Sequence, residues 1–556
     1  MINIRKYLHP ATLFAITFIT ALVFPLYQFI HSGDFLTHDR AVHAFRTSEY
    51  YSALVAGHIP PRLAPYFLGG SGYPLFLMNY QLPYLVGSAF LAIGLSAEIT
   101  VRILTVFSYI LYAAGGFLFF KTIASRKIAA LATLNLVYTP YLFANIFIRG
   151  ALPEFMASAI LMWILYAISS HKQKNFPTLV VGCLLGLQLL TQTTVALIGL
   201  PLVIMVTSLS GGKRWLSWCA SAMFAYAIGG LLASFILIPA VFERHYFQFD
   251  TQTHTFINNH FIPLTQLIKL PFFHTTDSAL ELSFTQTFLM IASLVLLPFG
   301  RKLASFWAFG LLALSWCFLY LITPQAGFLW NNVSIIQAVV FPWRLLTPIS
   351  ITVSILLIYL IKLHRRLFVP AVVLTLMSMF LTRHFIKPVE FSAQFVQISD
   401  QYVTGTTDGV FTPIGARTDK TLITLPSVRI LSGRAQVLQN EQSVGRWIAR
   451  VIVDEAATVQ AKVLYFPGWR FFVNGHEQLI PYPIVTHYPN SYPGLPEIGL
   501  STGVYTLEFR YVETTLRKVG NILSLSTFLM LSICLLKKSK ILKFMPICRG
   551  RRNRET

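Results

Sequence analysis

The fold class predicted for this chain is a polytopic α-helical membrane protein of about twelve transmembrane helices, with a C-terminal extracytoplasmic β-sandwich or jelly-roll domain before the last helix. Three observations predict it. The 556 residues are 55% hydrophobic and only 12% charged, where a soluble domain carries about 25% charged residues. Of the 43 Lys and Arg residues, 22 fall in seven short segments between long apolar runs, with Glu555 as their one acidic companion. After residue 382 the long apolar runs give way to short stretches in which apolar and polar residues alternate, the pattern of half-buried strands.

The basic segments set the topology. They hold Arg5 and Lys6; Lys121, Arg126 and Lys127; Lys172 and Lys174; Lys213 and Arg214; Arg301 and Lys302; Lys362, Arg365 and Arg366; and the tail beyond Leu536. Cytoplasmic loops are enriched in Lys and Arg, so each segment is predicted inside and the apolar runs between them cross in pairs. Spans then fall near 11–30, 102–120, 128–147, 154–170, 177–191, 194–208, 216–239, 285–299, 304–322, 345–361, 367–382 and 519–536. Both termini are cytoplasmic, and the first span lacks a small-residue cleavage site, so it is read as an uncleaved helix. Residues 79–95 are apolar enough to span, but a crossing there would put Lys121, Arg126 and Lys127 outside. They are predicted as a juxtamembrane or re-entrant segment. The chain thus divides into a transmembrane domain at 1–382 with a large first outer loop at 31–101, a β-rich outer domain at 383–518, and the last helix with its basic tail at 519–556.

In the β-rich stretch, WIARVIVD, AKVLYF, RFFV and VYTLEFRYV read as strands, and Asn474-Gly475 after RFFV is a strong hairpin signal. Tyr465, Phe466 and Trp469 flank a Pro467-Gly468 turn and are predicted to be core rather than a ligand surface. Of the five cysteines, four lie in apolar runs and one in the basic tail, so no disulfide framework is implied.

Nearly all of the formal net charge of +22 is topological, and the basic tail suits anionic lipid headgroups rather than nucleic acid. Zinc-protease, P-loop and dinucleotide signatures are absent. The polar residues that remain gather in the outer segments. A helix from about Thr37 puts Asp39, His43, Arg46 and Tyr50 on one face at i, i+4, i+7 and i+11. Arg149 and Glu154, Glu243, and Arg344 stand at the outer mouths of other spans. No cofactor is called for; a divalent cation on His38, Asp39 and His43 is left as an alternative on spacing, with no metal ligand assigned.

The series HD, VHAFR, AGHIPPR and GGSGYPLF within 38–76, with a Pro-Tyr pair after it, is similar to the first outer loop of the GT-C superfamily, integral-membrane glycosyltransferases that use lipid-linked sugars. The chain more closely resembles the bacterial 6-pyruvoyl-tetrahydropterin synthase-related membrane proteins, whose name is uninformative about activity. Further matches are IRGALPEF at 148–155, LLTQTT at 189–194, PAVFERHYF at 239–247, FPWRLL at 341–346 and YFPGW at 465–469. Where related proteins often show LTHN, this chain has Leu190-Thr191-Gln192-Thr193. The resemblance implies a GT-C-like fold in a bacterial cytoplasmic membrane and an acidic catalytic base in the first outer loop. That base carries over to Asp39, with Asp34 as the second candidate. The matched motifs supply His38, His43, Arg46, Arg62, Tyr73, Arg149, Glu154, Glu243 and Arg344 as substrate-binding candidates.

The implied reaction is an inverting transfer of a sugar from a polyprenyl phosphate to an extracytoplasmic glycan, lipid or protein acceptor. It needs cations for the departing phosphate and a carboxylate for the attacking hydroxyl. Arg149 and Arg344 are candidates for the first, Asp39 for the second. Two other classes are weighed. A lipid or solute transporter is expected to show internal repeats and charges at mid-membrane, and a non-catalytic cell-envelope assembly protein would not need twelve helices as an anchor.

Overall fold

The computed structural model describes residues 10–30, 34–172, 174–249, 257–268, 279–299, 302–387, 390–392 and 411–544. Arg5, Lys6, the start of the first loop at 31–33 and the basic tail beyond 544 lie outside the described residues.

The molecule is mostly helical, and helices occur at each of the twelve anticipated span positions. Among the described residues, length and apolar composition qualify six stretches as able to cross a membrane, or up to eight when two sharply bent helix pairs each count as one. The main helices are α1 (Pro10–Val23), α2 (Arg40–Val55), α3 (Leu82–Ala92), α4 (Ala97–Ile123), α5 (Arg126–Val137), α6 (Leu152–Ser170), α7 (Thr178–Thr191) and α8 (Thr193–Gly211). They continue as α9 (Trp215–Leu232), α10 (Ser234–Phe242), α11 (Phe284–Leu296), α12 (Lys302–Ile322), α13 (Leu346–Leu363), α14 (Phe368–Thr382) and α15 (Thr515–Phe544). The 40-residue apolar stretch Thr193–Leu232 is one of the six. It is broken at Gly212, which takes φ +55 and ψ −121. Across that break Ser208 meets Cys219, at 3.5 Å.

Helix α3 covers the apolar stretch expected not to cross. Its 11 residues span roughly 16 Å, about half of a hydrocarbon core. It packs instead on α2. Four basic connectors meet at one end of the bundle: Arg214 donates to the Lys174 carbonyl at 2.7 Å, Lys172 lies near Lys362, and Thr122, beside Lys121, pairs with Ser169. Helices that leave this end reach the first loop and the sheet at the other.

The sheet confirms much of the strand reading and corrects its architecture. Strands β1 (Asp34–Leu36) and β2 (Glu390–Ser392) pair with each other, and β3 (Val428–Ser443), β4 (Arg446–Ala461), β5 (Trp469–Val473), β6 (His476–Gln478), β7 (Glu497–Leu500) and β8 (Gly503–Tyr511) form one antiparallel sheet, ordered β3-β4-β8-β5-β6 with β7 also on β4. Among the described residues the only other sheet is the short pair of β1 with β2, so a second layer of the size expected for a sandwich is not found. Its buried face, with Trp447, Val451, Leu507 and Phe509, is covered by Leu63 and Leu77 of the first loop and by Phe247. Alternation shows that one face is buried but not what buries it. AKVLYF is also not a strand beyond Ala461. Its apolar residues Val463, Leu464 and Phe466 are buried in irregular chain, and the Leu464 N–H donates to the Ser71 carbonyl at 2.7 Å.

Asn474 and Gly475 take φ +49 and +83 between β5 and β6. Both central residues of a type I′ hairpin turn need positive φ, which is why this dipeptide signals one. Phe466 and Trp469 are buried and Tyr465 packs on the same core, as expected.

A polar knot joins the sheet to the helices. Arg517, wholly buried at the start of α15, donates to Glu243 at 2.7 Å, to the Tyr511 hydroxyl at 2.6 Å and to the Pro467 carbonyl at 2.8 Å. Beside it Arg62 donates to Glu513 at 3.0 Å, to the Phe235 carbonyl at 2.8 Å and to Asn521 at 2.9 Å. These contacts fix the first loop, α10 and α15 against one another.

Candidate active site

A cavity of about 420 Å³ lies where the first loop meets the ends of α6, α7 and α13. Its position follows from how the chain turns after α5. That helix and the segment Pro140–Ile148 bend by 57° at the intervening break. Residues Ala144–Ile148 are π-helical, a local widening common at functional sites. Arg149 closes this turn through its N–H to the Ala144 carbonyl at 2.7 Å. Gly150 then reverses the chain with φ +67, and a Cβ there would lie 2.2 Å from Thr37 Oγ1. Only glycine permits that approach without displacement. It lets the first loop dock by backbone bonds, His38 N–H to the Ile148 carbonyl at 3.0 Å and Asp39 N–H to the Arg149 carbonyl at 2.7 Å.

Helix α6 follows at once with Glu154 in its first turn, where the positive end of the helix dipole favours a carboxylate. Glu154 is the hub of a buried network. Arg149 Nη1 donates to it at 3.0 Å and Arg344 Nε at 3.0 Å, while the Tyr141 hydroxyl and the Asn145 amide also donate. Arg149 Nη1 further meets Asn145 Oδ1 at 2.5 Å and the Tyr141 hydroxyl at 3.2 Å. Arg344, in a 3-10 turn before α13, also donates to the Val339 carbonyl at 2.7 Å and lies over the Phe341 ring. Burial alone would weaken the proton affinity of Arg149, but Glu154, Tyr141 and Asp39 together raise it above its ordinary value.

The first loop supplies the facing wall. Asp39 is the N-cap of α2, yet its side chain makes no capping hydrogen bond. It lines the cavity with His43 and Arg46, as the helical periodicity predicted, and His38 stands exposed at the rim. His43 is buried and its Nδ1 pairs with the Tyr84 hydroxyl at 3.0 Å. Burial, with Arg46 and Arg149 nearby, lowers its pKa to about 3, so the imidazole is neutral near pH 7. Tyr50, fourth on the predicted face, lies beyond the cavity, buried with its hydroxyl on Gln81 at 2.6 Å.

Of the eleven sequence candidates, seven line this cavity: Asp39, His38, His43, Arg46, Arg149, Glu154 and Arg344. Three others lie elsewhere, and the side chain of the fourth, Asp34, is outside the described residues. Arg62 and Glu243 are in the polar knot, and Tyr73 is buried among Phe67, Phe76 and Tyr84. Asp34 belongs to a short strand whose backbone pairs with Ser392. Among the described residues no group of three or more His, Cys, Asp or Glu is placed to hold a metal ion, so the alternative of a cation on His38, Asp39 and His43 finds no geometric support.

Tyr80, Gln192, His260 and Trp343 also line the cavity and were not singled out as site residues. Gln192 had a signal, as the departure from LTHN. It is 2% exposed, and its Oε1 has no hydrogen-bond partner among the described residues. Nothing local marked His260, which reaches the site by tertiary packing against Phe341 and Trp343.

Among the described residues, three arginines against two carboxylates leave the cavity lining with an excess positive charge at neutral pH. An anion, a hydroxyl donor for Gln192 and a carboxylate able to take a proton are what this arrangement can accommodate. No protein-family model matches the chain, and no curated protein matches it in sequence.

Proposed function

We propose that this protein is a membrane glycosyltransferase that moves a sugar from a polyprenyl phosphate to a hydroxyl acceptor outside the cytoplasm. The observation that carries the proposal is the convergence of Asp39, Arg46, Arg149 and Arg344 from three distant parts of the chain on one cavity at the ends of apolar helices. Functional charges at helix ends, rather than at mid-membrane, favour surface chemistry on a lipid headgroup over transport.

In this reaction Asp39 accepts the acceptor's hydroxyl proton. The hydroxyl oxygen forms its bond to the anomeric carbon as the bond from that carbon to the phosphate oxygen breaks, and the electron pair leaves on the phosphate. Attack opposite the leaving group inverts the anomeric centre. Arg46, Arg149 and Arg344 hold the phosphate and its developing charge, and the Gln192 carbonyl accepts a hydroxyl of the donor sugar. A leaving phosphate needs no protonating acid, so a single carboxylate suffices.

The donor is amphiphilic, and the surroundings suit that. An apolar groove of about 620 Å³ is lined by Leu82, Leu85, Leu190 and Leu525. Tyr80 and Gln192 of the polar cavity are each two residues from Leu82 and Leu190 of the groove. The Gln81 N–H bond to the Leu190 carbonyl, at 2.9 Å, joins the two segments. The orientation that goes with this reading has both termini in the cytoplasm of a bacterium and the sheet outside.

Mass spectrometry of lipid-linked sugars and envelope glycans tests the reading, with cells carrying the protein, lacking it, or carrying Asp39→Asn. The donor is expected to accumulate in the last two strains. Loss of a general base costs about 10² to 10⁴ in rate, while donor binding stays near wild type. Asp34→Asn should leave transfer intact; the reverse pattern would assign the base to Asp34, and full activity in both variants would refute the transfer mechanism.

A further inference from the structure

A second, smaller cavity of about 220 Å³ shares a wall with the first, formed by His260, Leu280 and Trp343. Its remaining lining among the described residues is Asn259, Phe261, Ile262, Gln266 and Glu281, with no Lys or Arg among them. Its chemistry is therefore unlike that of its cationic neighbour: carboxamides, one carboxylate, an imidazole and aromatic faces. Glu281, 3% exposed, forms the floor, while exposed Asn259 and Gln266 mark the mouth.

The walls are held in place from several sides. The Ile262 N–H donates to the Ile322 carbonyl at 3.0 Å, and the Leu282 N–H to the Leu267 carbonyl at 3.0 Å. Just beyond Glu281, Ser283 and Gln286 cap α11 reciprocally, at 3.1 and 2.8 Å. One donor in this fixed frame is unsatisfied. Trp343 is only 9% exposed and its indole N–H has no hydrogen-bond partner among the described residues. A buried donor left without a partner is unfavourable, and a ligand oxygen would satisfy it.

We propose that this smaller cavity is the acceptor subsite and takes a neutral, polyhydroxylated ring, the terminal saccharide of an acceptor glycan or glycolipid. The proposal rests on the transferase reading and adds the acceptor's chemical class to it. Glu281 and Gln266 bind ring hydroxyls, the Trp343 N–H donates to one more, and the aromatic rings cover the apolar C–H face. A volume below the roughly 300–1,000 Å³ of drug-sized ligand sites fits a single ring rather than an extended chain. The shared wall places that ring beside the cavity that holds Asp39, and the mouth at Gln266 gives it a path separate from the donor's.

Saturation-transfer NMR on the full chain in phosphatidylglycerol-phosphatidylcholine nanodiscs tests this, with glucose, galactose, mannose and N-acetylglucosamine as probes and farnesyl phosphate as a donor mimic. At least one sugar is expected to show transfer that persists when farnesyl phosphate is bound. Glu281→Gln and Trp343→Phe should each weaken it, by about tenfold for the charged partner. Gln266→Ala, at an exposed position where folding is not at risk, should weaken it less but measurably. Displacement of the sugar by farnesyl phosphate would put it in the larger cavity and overturn the proposal while sparing the transferase reading. Absence of transfer from all four sugars, or indifference to all three substitutions, would also overturn it. Failure of farnesyl phosphate itself to bind would instead count against the transferase reading.

Discussion

Replacing Glu154 by Gln separates two consequences of the buried network. Glu154 is 2% exposed and accepts from Arg149 and Arg344, whose side chains are 11% and 8% exposed. Neutralising it leaves two nearly buried guanidinium groups facing an amide, and breaking such a buried pair costs about 3–5 kcal/mol. The amide oxygen can still accept two of the four hydrogen bonds, which are shared two to each carboxylate oxygen, and this puts the expected loss near the lower end. The same change releases two cations towards the cavity, so an anionic ligand should bind more tightly as the free protein becomes less stable. At a hundredfold excess over its dissociation constant a ligand returns about 2.7 kcal/mol. In nanodiscs, followed by tryptophan fluorescence, Glu154→Gln should unfold at a clearly lower temperature than wild type, and farnesyl phosphate should raise its midpoint by more than it raises the wild type's. An unchanged midpoint would refute the network's role in stability. Equal stabilisation of wild type, Arg149→Ala and Arg344→Ala by farnesyl phosphate would refute phosphate binding by these arginines.

Glu49 provides a pH test: its buried carboxyl accepts from the Tyr66 and Phe67 N–H groups, yet desolvation outweighs these bonds and raises its pKa to about 7. A pKa raised by folding means that stability falls as pH rises from about 4.5 to 7, by roughly 3 kcal/mol from this group. Glu49→Gln should flatten that decline in a thermal-midpoint series from pH 4 to 8; an unchanged slope would show that Glu49 is not the group responsible. Arg517→Met strands the buried Glu243 and should cost about 3–5 kcal/mol, with Glu243→Gln in the same chain recovering part of the loss in the same unfolding assay. Ser125→Cys, in a background without the native cysteines, should resist an impermeant thiol reagent applied from outside the cell, because Ser125 lies between Lys121 and Arg126 at the basic end of the bundle. Ready labelling there would invert the proposed orientation.

The helices and much of the first-loop wall of the site were legible in the sequence because their signals are local. Long apolar runs give helices whatever they pack against, and a period of 3.6 placed Asp39, His43 and Arg46 together. The Asn474-Gly475 hairpin was readable for the same reason, since positive φ at both positions is a property of the dipeptide. Arg149 and Glu154 are five residues apart and were paired by proximity.

What only tertiary structure decided was which polar groups are already spent and which face a cavity. Arg62 and Glu243 look as promising along the chain as Arg149 and Glu154, but their charges are consumed by Glu513 and Arg517, roughly 450 and 270 residues away. Tyr73 resembles a ligand contact and is buried core. The sheet's missing second layer has the same cause: alternation records that one face avoids water, and burial by Leu63, Leu77 and Phe247 satisfies it as well as another sheet would. His260 and Glu281 carry no local signal, and of the matched FPWRLL only Arg344, not Trp343, was singled out. A side chain's chemistry depends on its neighbours in space, and in this chain those neighbours come from segments that only packing brings together.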